Sequence, residues 1–317
     1  MSTLTINLNE EYRIKIEEGK DFHNSIFKDV YINAAENVVE IINQSNSKNK
    51  YDDFNNIIAF TGERGKGKSS SMISFRNALI NNKDENKHKV FFDAKKLDDK
   101  SLKSTFEILR NNKFAEIDII DPSLFKGNES LFEIILAKMF SKFQDKLKEK
   151  DSDISEDVRR NLISRFQKVF ENLQIINSDR KELYKLETIE ALSKLATSSN
   201  LRDCFKDLVT EYLKSFEDKE FLVIAIDDFD LNISKTYEML EDIRQLLIQS
   251  KIIILIACKV EQLRESVLNN YYKEFDNLIK YKSNELTEIE LINKTEKYIE
   301  KILPFEKRLE LPNLKMF

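Results

Sequence analysis

The sequence predicts an α/β protein: a parallel sheet flanked by helices, with a large all-helical insertion. Three observations predict it. The short apolar runs Ile57–Phe60, Phe221–Ile226 and Ile252–Ala257 lack polar alternation, as strands covered on both faces do. Between them, apolar residues recur at helical spacing. Only five glycines, three prolines and no tryptophan occur in 317 residues, too little turn chemistry for an all-β sandwich or barrel.

Residues 1–50 alternate at Leu4, Ile6 and Leu8, as a short strand does, then take helical spacing at Ile26, Val30, Ala34, Val38 and Ile41 or Ile42. They read as an N-terminal strand-and-helix extension, joined to the next unit by the polar stretch Asn43–Lys50. Ile57–Phe60 belongs to the first half of the core, residues 51–129. A tight loop, Thr61–Ser69, follows it, and then a helix carrying Met72, Ile73, Phe75 and Leu79. Val90–Phe92 and Ala115–Ile120 are further strand candidates, the second closed by Asp121 and Pro122.

Residues 130–217 change character. Leu131, Ile135, Met139 and Phe143 recur at helical spacing, as do Val158, Leu162, Phe166, Val169 and Leu173. Leu186, Ile189, Leu192 and Leu195 form a third such set, and Phe205, Leu208, Val209 and Tyr212 a fourth. A strand–helix–strand crossover needs only about 30 residues, whereas this stretch has 88. It is therefore expected to be the helical insertion. The second half of the core, 218–303, opens with Phe221–Ile226. A helix from near Ser234 to Gln249 follows, and Lys251 leads into Ile252–Ala257. Helical patterns are expected from there to the end, broken by a candidate edge strand at Leu278–Ser283. Residues 304–317 read as the start of a lid or downstream segment. The stop at Phe317, within an unfinished unit, suggests the amino-terminal part of something longer.

With 51 basic and 56 acidic side chains the net charge is −5, so the global basic field of a dedicated duplex-DNA binder is missing. No basic stripe with interleaved aromatics stands out either. Two cysteines (Cys204, Cys258) and two histidines (His23, His88) cannot build a disulfide framework or a zinc site. No basic stretch precedes an apolar block at the N-terminus, and the longest apolar runs are far shorter than a membrane span. The expectation is a soluble, cytoplasmic chain without a membrane segment.

Chemistry concentrates in two places. The first is Gly62-Glu63-Arg64-Gly65-Lys66-Gly67-Lys68-Ser69, followed by Ser70, which fits G-x-x-x-x-G-K-[ST] between a buried strand and a helix. Three of the chain's five glycines fall in these eight residues. A backbone that curls around phosphate oxygens needs residues without Cβ, because its N–H groups point inward at positive φ. Lys68 is suited to reach the β- and γ-phosphates, and the Ser69 hydroxyl to ligate Mg²⁺, while the helix directs its positive end at the anion. The plainer reading is a glycine-rich turn before a helix. The second place is the end of Phe221–Ile226. There Asp227 is placed to hold magnesium through water, and Asp228 to polarise an attacking water. Asp230 reads equally well as a hydrogen bonder within the loop. The plainer reading of all three is strand termination and helix capping.

On these residues the chain resembles P-loop ATPases of the additional-strand class, which includes the AAA+, STAND and KAP groups. Phe60–Ser70, Ile226–Leu231 and Tyr298–Pro304 with Arg308 and Leu311-Pro312 are similar in wording to ATPases of bacterial anti-phage systems such as RADAR. The resemblance implies a parallel P-loop NTPase sheet with the loop strand between the strand carrying Asp227 and an edge strand, and ATP with Mg²⁺ as cofactors. It implies that Lys259 senses the γ-phosphate, and that in a homo-oligomeric ring an arginine completes the neighbour's site. Arg264 is the first choice for that arginine, Arg244 the second, and Arg308 is a candidate to act within its own chain. The functions so implied are an ATPase that drives or gates assembly in anti-phage defence, a nucleotide-gated scaffold that recruits an effector protein, or a DNA-handling ATPase.

Overall fold

The computed structural model describes residues 15–19, 21–47, 54–83, 92–93, 99–125, 129–149, 154–177, 189, 196, 199–216, 219–276 and 284–312. The expected strands at Leu4–Leu8 and Leu278–Ser283, most of the one at Val90–Phe92, and most of the helix around Leu186–Leu195 lie outside them.

In chain order the elements are α1 (Lys28–Asn46), β1 (Ile57–Thr61), α2 (Lys68–Ile80), α3 (Lys100–Asn111) and β2 (Phe114–Glu116). Next come α4 (Leu131–Lys148), α5 (Glu156–Asn177), α6 (Leu201–Ser215), β3 (Phe221–Ile226) and α7 (Thr236–Asp242). The chain continues with β4 (Ile252–Cys258), α8 (Val260–Glu274), α9 (Asn284–Ile302) and β5 (Arg308–Glu310). The strands form one all-parallel sheet in the order β2-β3-β4-β1-β5.

Every residue of β1, β3 and β4 is buried, which is why their sequences are continuous apolar runs. Alternation along β1 sends Ile58 and Phe60 to one side of the sheet, against α1, α2 and α3. It sends Ile57 and Ala59 to the other side, where α4 to α9 pack. Two layers of helix thus cover a central sheet, and each fully buried aliphatic side chain contributes about 1.5–3 kcal/mol relative to exposure.

The structure departs from the sequence expectation at several points. The loop strand β1 does not adjoin the acidic strand β3; β4 stands between them, paired to β1 through Ile57↔Ile254 to Thr61↔Cys258. Two buried asparagines tie the residues just before β1 to their neighbours. Asn56 Nδ2 donates to the carbonyls of Leu247, Gln249 and Ile252, and Asn55 Nδ2 to that of Ile302. The stretch read as a lid or downstream segment supplies β5, the other neighbour of β1, so helix does not continue to the end. Lys307, which precedes β5, is only 4% exposed and is tied to Glu40 and Asn37 of α1. The N-terminal helix read as an extension is therefore part of the core.

Two elements are shorter than the periodicity suggests. α7 closes in a π turn, Ile243–Leu247, instead of running regularly to Gln249. β2 ends at Glu116, where buried Arg76 of α2 pairs with the Glu116 carboxylate at 2.5 Å and donates to the Ile117 carbonyl at 2.8 Å. The chain rejoins the sheet at Ile120, whose amide donates to the Ala225 carbonyl.

Candidate functional site

The crevice between the tips of β1 and β4 lies where two connections leave the sheet in opposite senses. From β1 the chain enters α2 on one face; from β4 it enters α8 on the other. In open parallel sheets, ligands bind at such a point, outside the carboxyl ends of the strands. Most of the residues singled out from the sequence lie around it; Arg244 does not.

The loop after β1 curls through three glycines at positive φ: Gly62 (153°), Gly65 (81°) and Gly67 (87°). The curl is closed by the Lys66 amide donating to the Glu63 carbonyl. A Cβ on Gly67 would stand 2.7 Å from the ring of Phe27, the residue that caps the start of α1, so this aromatic packs directly against the loop. A Cβ on Gly65 would meet nothing within 4 Å. Lys68 opens α2, and its Nζ lies 3.4 Å from the Glu63 carbonyl oxygen. Arg64 is exposed. Ser70 is engaged elsewhere, its Oγ accepting from the Lys15 amide at 3.2 Å.

Ser69 and Asp227, 158 residues apart, meet: Ser69 Oγ donates to Asp227 Oδ1 at 2.7 Å. Asp227 is held by the sheet itself, since its amide donates to the Ile120 carbonyl at 2.8 Å. The same Oδ1 accepts the Asp228 amide at 3.0 Å. Burial raises the Asp227 carboxyl above its ordinary range; the Ser69 hydrogen bond opposes this and Asp228 adds to it. Asp228 takes φ 45°, a left-handed conformation that aspartate tolerates better than most side chains and that recurs at functional turns. The buried Phe229 fixes the turn by donating its amide to the Ala257 carbonyl on β4. Asp230 is 4% exposed, one carboxyl oxygen lacks a hydrogen-bond partner, and burial raises its pKa against the pull of Lys68.

Lys259 directly follows β4, and its Nζ pairs with Glu63 Oε2 across the crevice at 2.9 Å. Beside the loop, a cavity of about 300 Å³ is lined by Gly62, Glu63, Lys66, Arg264, Phe305 and Arg308. Arg264 pairs with Glu296 at 3.0 Å, and Arg308 Nε donates to the Leu303 carbonyl at 2.8 Å. Burial, followed by the nearby charge of Arg264, pushes the Arg308 guanidinium below its usual value. Arg264, expected to serve a neighbouring subunit, and Arg308 both line this cavity. Arg244 does not join them; it forms a bidentate pair with Glu241 at 2.9 and 2.6 Å.

Three contributors carry no signal of their role in the sequence. Phe27 sits at the start of a helical pattern, with no mark of its contact with Gly67. Ile120 acts through its carbonyl, which any residue supplies. Leu311, whose Cβ lies 3.6 Å from where a Cβ on Gly62 would stand, enters only as part of the resemblance, with no mark of its contact with the loop.

The donor set fits a hydrated divalent ion. Mg²⁺ takes only one or two protein oxygens, keeping water and substrate phosphate for the rest of its octahedron. Ser69 Oγ and Asp227 Oδ1 offer such a pair. Among the described residues no cluster of three or more His, Cys, Asp or Glu side chains forms a dedicated all-protein metal cage. No protein-family model matches the chain, and no curated protein matches it.

Proposed function

We propose that the chain binds Mg²⁺-ATP at the tips of β1, β3 and β4 and hydrolyses it, with the cycle driving or gating assembly of a homo-oligomer in anti-phage defence. One observation carries the reading: the Ser69–Asp227 hydrogen bond of 2.7 Å joins the end of the glycine loop to the end of the acidic strand. Two motifs far apart in the chain thus meet at one point, as phosphoryl transfer requires. The all-parallel five-stranded sheet, with the glycine loop and the acidic turn both at the carboxyl ends of its strands, is compatible with this reading.

In this reading the loop amides and the N-terminus of α2 receive the phosphates, and the Lys68 ammonium turns from the Glu63 carbonyl to the β- and γ-phosphates. Ser69 and Asp227 hold the magnesium ion, which when bound neutralises charge developing on the phosphates. Asp228 orients the attacking water and accepts its proton. Lys259 and Arg308 supply positive charge from the same chain, and in the oligomer Arg264 completes the neighbour's site. The test is Mg²⁺-dependent ATP binding and phosphate release by the wild type, Lys68→Ala and Asp228→Asn. Lys68→Ala is expected to abolish binding, and Asp228→Asn to leave binding but lower turnover about 100-fold or more. Phosphate release that survived both substitutions would remove the ATPase reading.

One observation favours a second reading, a nucleotide-gated scaffold that recruits an effector and barely turns over. An apolar cleft of about 340 Å³ opens between α4 and α5, lined by Leu136, Phe140, Phe166, Phe170 and Leu173. Filling of the nucleotide site without measurable hydrolysis, together with ATP-dependent assembly, would select this reading.

A further inference from the structure

The loop Gly62–Ser69 carries three cations, Arg64, Lys66 and Lys68, and a single anion, Glu63. That one acid engages two lysines at once. Its carboxylate pairs with Lys259 Nζ at 2.9 Å, and its carbonyl oxygen lies 3.4 Å from Lys68 Nζ. The Lys259 hydrogen bond holds the Glu63 carboxyl below its ordinary range, aided by the charges of Lys66 and Lys68.

Strand order gives this ion pair a particular place. Lys259 stands at the tip of β4, between the strand that carries the loop and the strand that ends in Asp227. A polyphosphate that starts in the loop and extends toward Asp227 passes over that tip. On the nucleotide reading, a diphosphate that ends within the loop would leave Glu63 and Lys259 joined, whereas the terminal group of a triphosphate would compete with Glu63 for the ammonium.

We infer that Glu63 is an internal counter-ion that the third phosphate must displace from Lys259, so that this acid sets how strongly the site prefers a nucleoside triphosphate over a diphosphate. The inference rests on the nucleotide reading above and adds a specificity-determining residue to it. The pair is open to solvent, with Glu63 61% and Lys259 29% exposed, so its competition is modest. Removing it is expected to shift the preference about two- to fivefold.

The experiment is calorimetric titration of Mg²⁺-ATP and Mg²⁺-ADP into the wild type, Glu63→Gln, Lys259→Gln and the double variant. In Glu63→Gln, ATP binding should tighten about two- to fivefold more than ADP binding. In the Lys259→Gln background the Glu63→Gln substitution should no longer separate the two nucleotides. That second arm distinguishes release of Lys259 from a general rise in positive charge at the loop, which would favour both ligands alike. Equal gains for ATP and ADP, weaker ATP binding, or a selective gain that persists without Lys259 would overturn the inference while leaving the nucleotide reading intact. Wild-type protein that binds neither nucleotide would overturn both.

Discussion

Gly65 and Gly67 provide an internally controlled test of how the loop is held. Both take positive φ, 81° and 87°, so an alanine at either position adopts a left-handed backbone that costs about 1–2 kcal/mol. Alanine also restricts the unfolded chain and so returns about 0.4–1 kcal/mol. The backbone alone therefore predicts a net loss of about 0.5–1 kcal/mol at each site. The surroundings separate the two. At Gly65 a Cβ meets no atom within 4 Å, whereas at Gly67 it stands 2.7 Å from the buried Phe27 ring, which must shift. Overpacking of this kind adds about 1–3 kcal/mol, giving a total of about 1.5–4 kcal/mol for Gly67→Ala. Urea unfolding of Gly65→Ala, Gly67→Ala, Phe27→Leu and the Phe27→Leu/Gly67→Ala double variant measures this. The double variant should lose less than the sum of its parts, because the smaller side chain makes room for the methyl. Equal losses at the two glycines, or strict additivity in the cycle, would refute the claim that Phe27, at the N-cap of α1, braces the loop.

Two further outcomes follow from buried titrating groups. Burial pushes the Asp242 carboxyl up to about 6 from 3.8, although it accepts the Phe132 amide at the start of α4. The folded state then binds the proton more tightly than the unfolded chain, so stability is highest below pH 4 as far as this group is concerned. It falls by about 2–3 kcal/mol as pH rises from about 4 to 6. Asp242→Asn keeps the acceptor and removes the charge, so its stability relative to wild type should be greater at pH 7.5 than at pH 4.5; a pH-independent difference in urea melts would contradict the assignment. Burial also raises the Cys258 thiol, which is 0% exposed at the end of β4, and Cys204 is only 6% exposed. Neither should react with a maleimide at pH 7.5 in the folded protein, and both should react in denaturant. Rapid native labelling of Cys258 would mean that the tip of β4 opens.

The glycine loop and the acidic strand end were readable in the sequence because each is local. A strand covered on both faces writes itself as an apolar run, and a backbone held at positive φ selects glycine at fixed spacing. These signals placed Gly62 to Ser69 and Asp227 to Asp230 on the right elements without any knowledge of their neighbours. They did not place Asn55 and Asn56, whose amides bind carbonyls nearly 200 or more residues away, or give a reason why Arg244 pairs with Glu241 while Arg264 pairs with Glu296 beside the loop cavity.

By itself, then, the amino-acid order determined that there would be buried parallel strands, where the chain would curl tightly, and where acids would crown a strand. The tertiary structure alone decided that β4 separates the loop strand from the acidic strand, that Arg308–Glu310 completes the sheet, and that Glu63 faces Lys259. The reason is physical. Periodicity reports how one segment meets an apolar or aqueous surface, and that is the same for any strand buried in the sheet. Which strands become neighbours, and which of many exposed charges find one another, depends on contacts between distant segments that form only when the whole core packs.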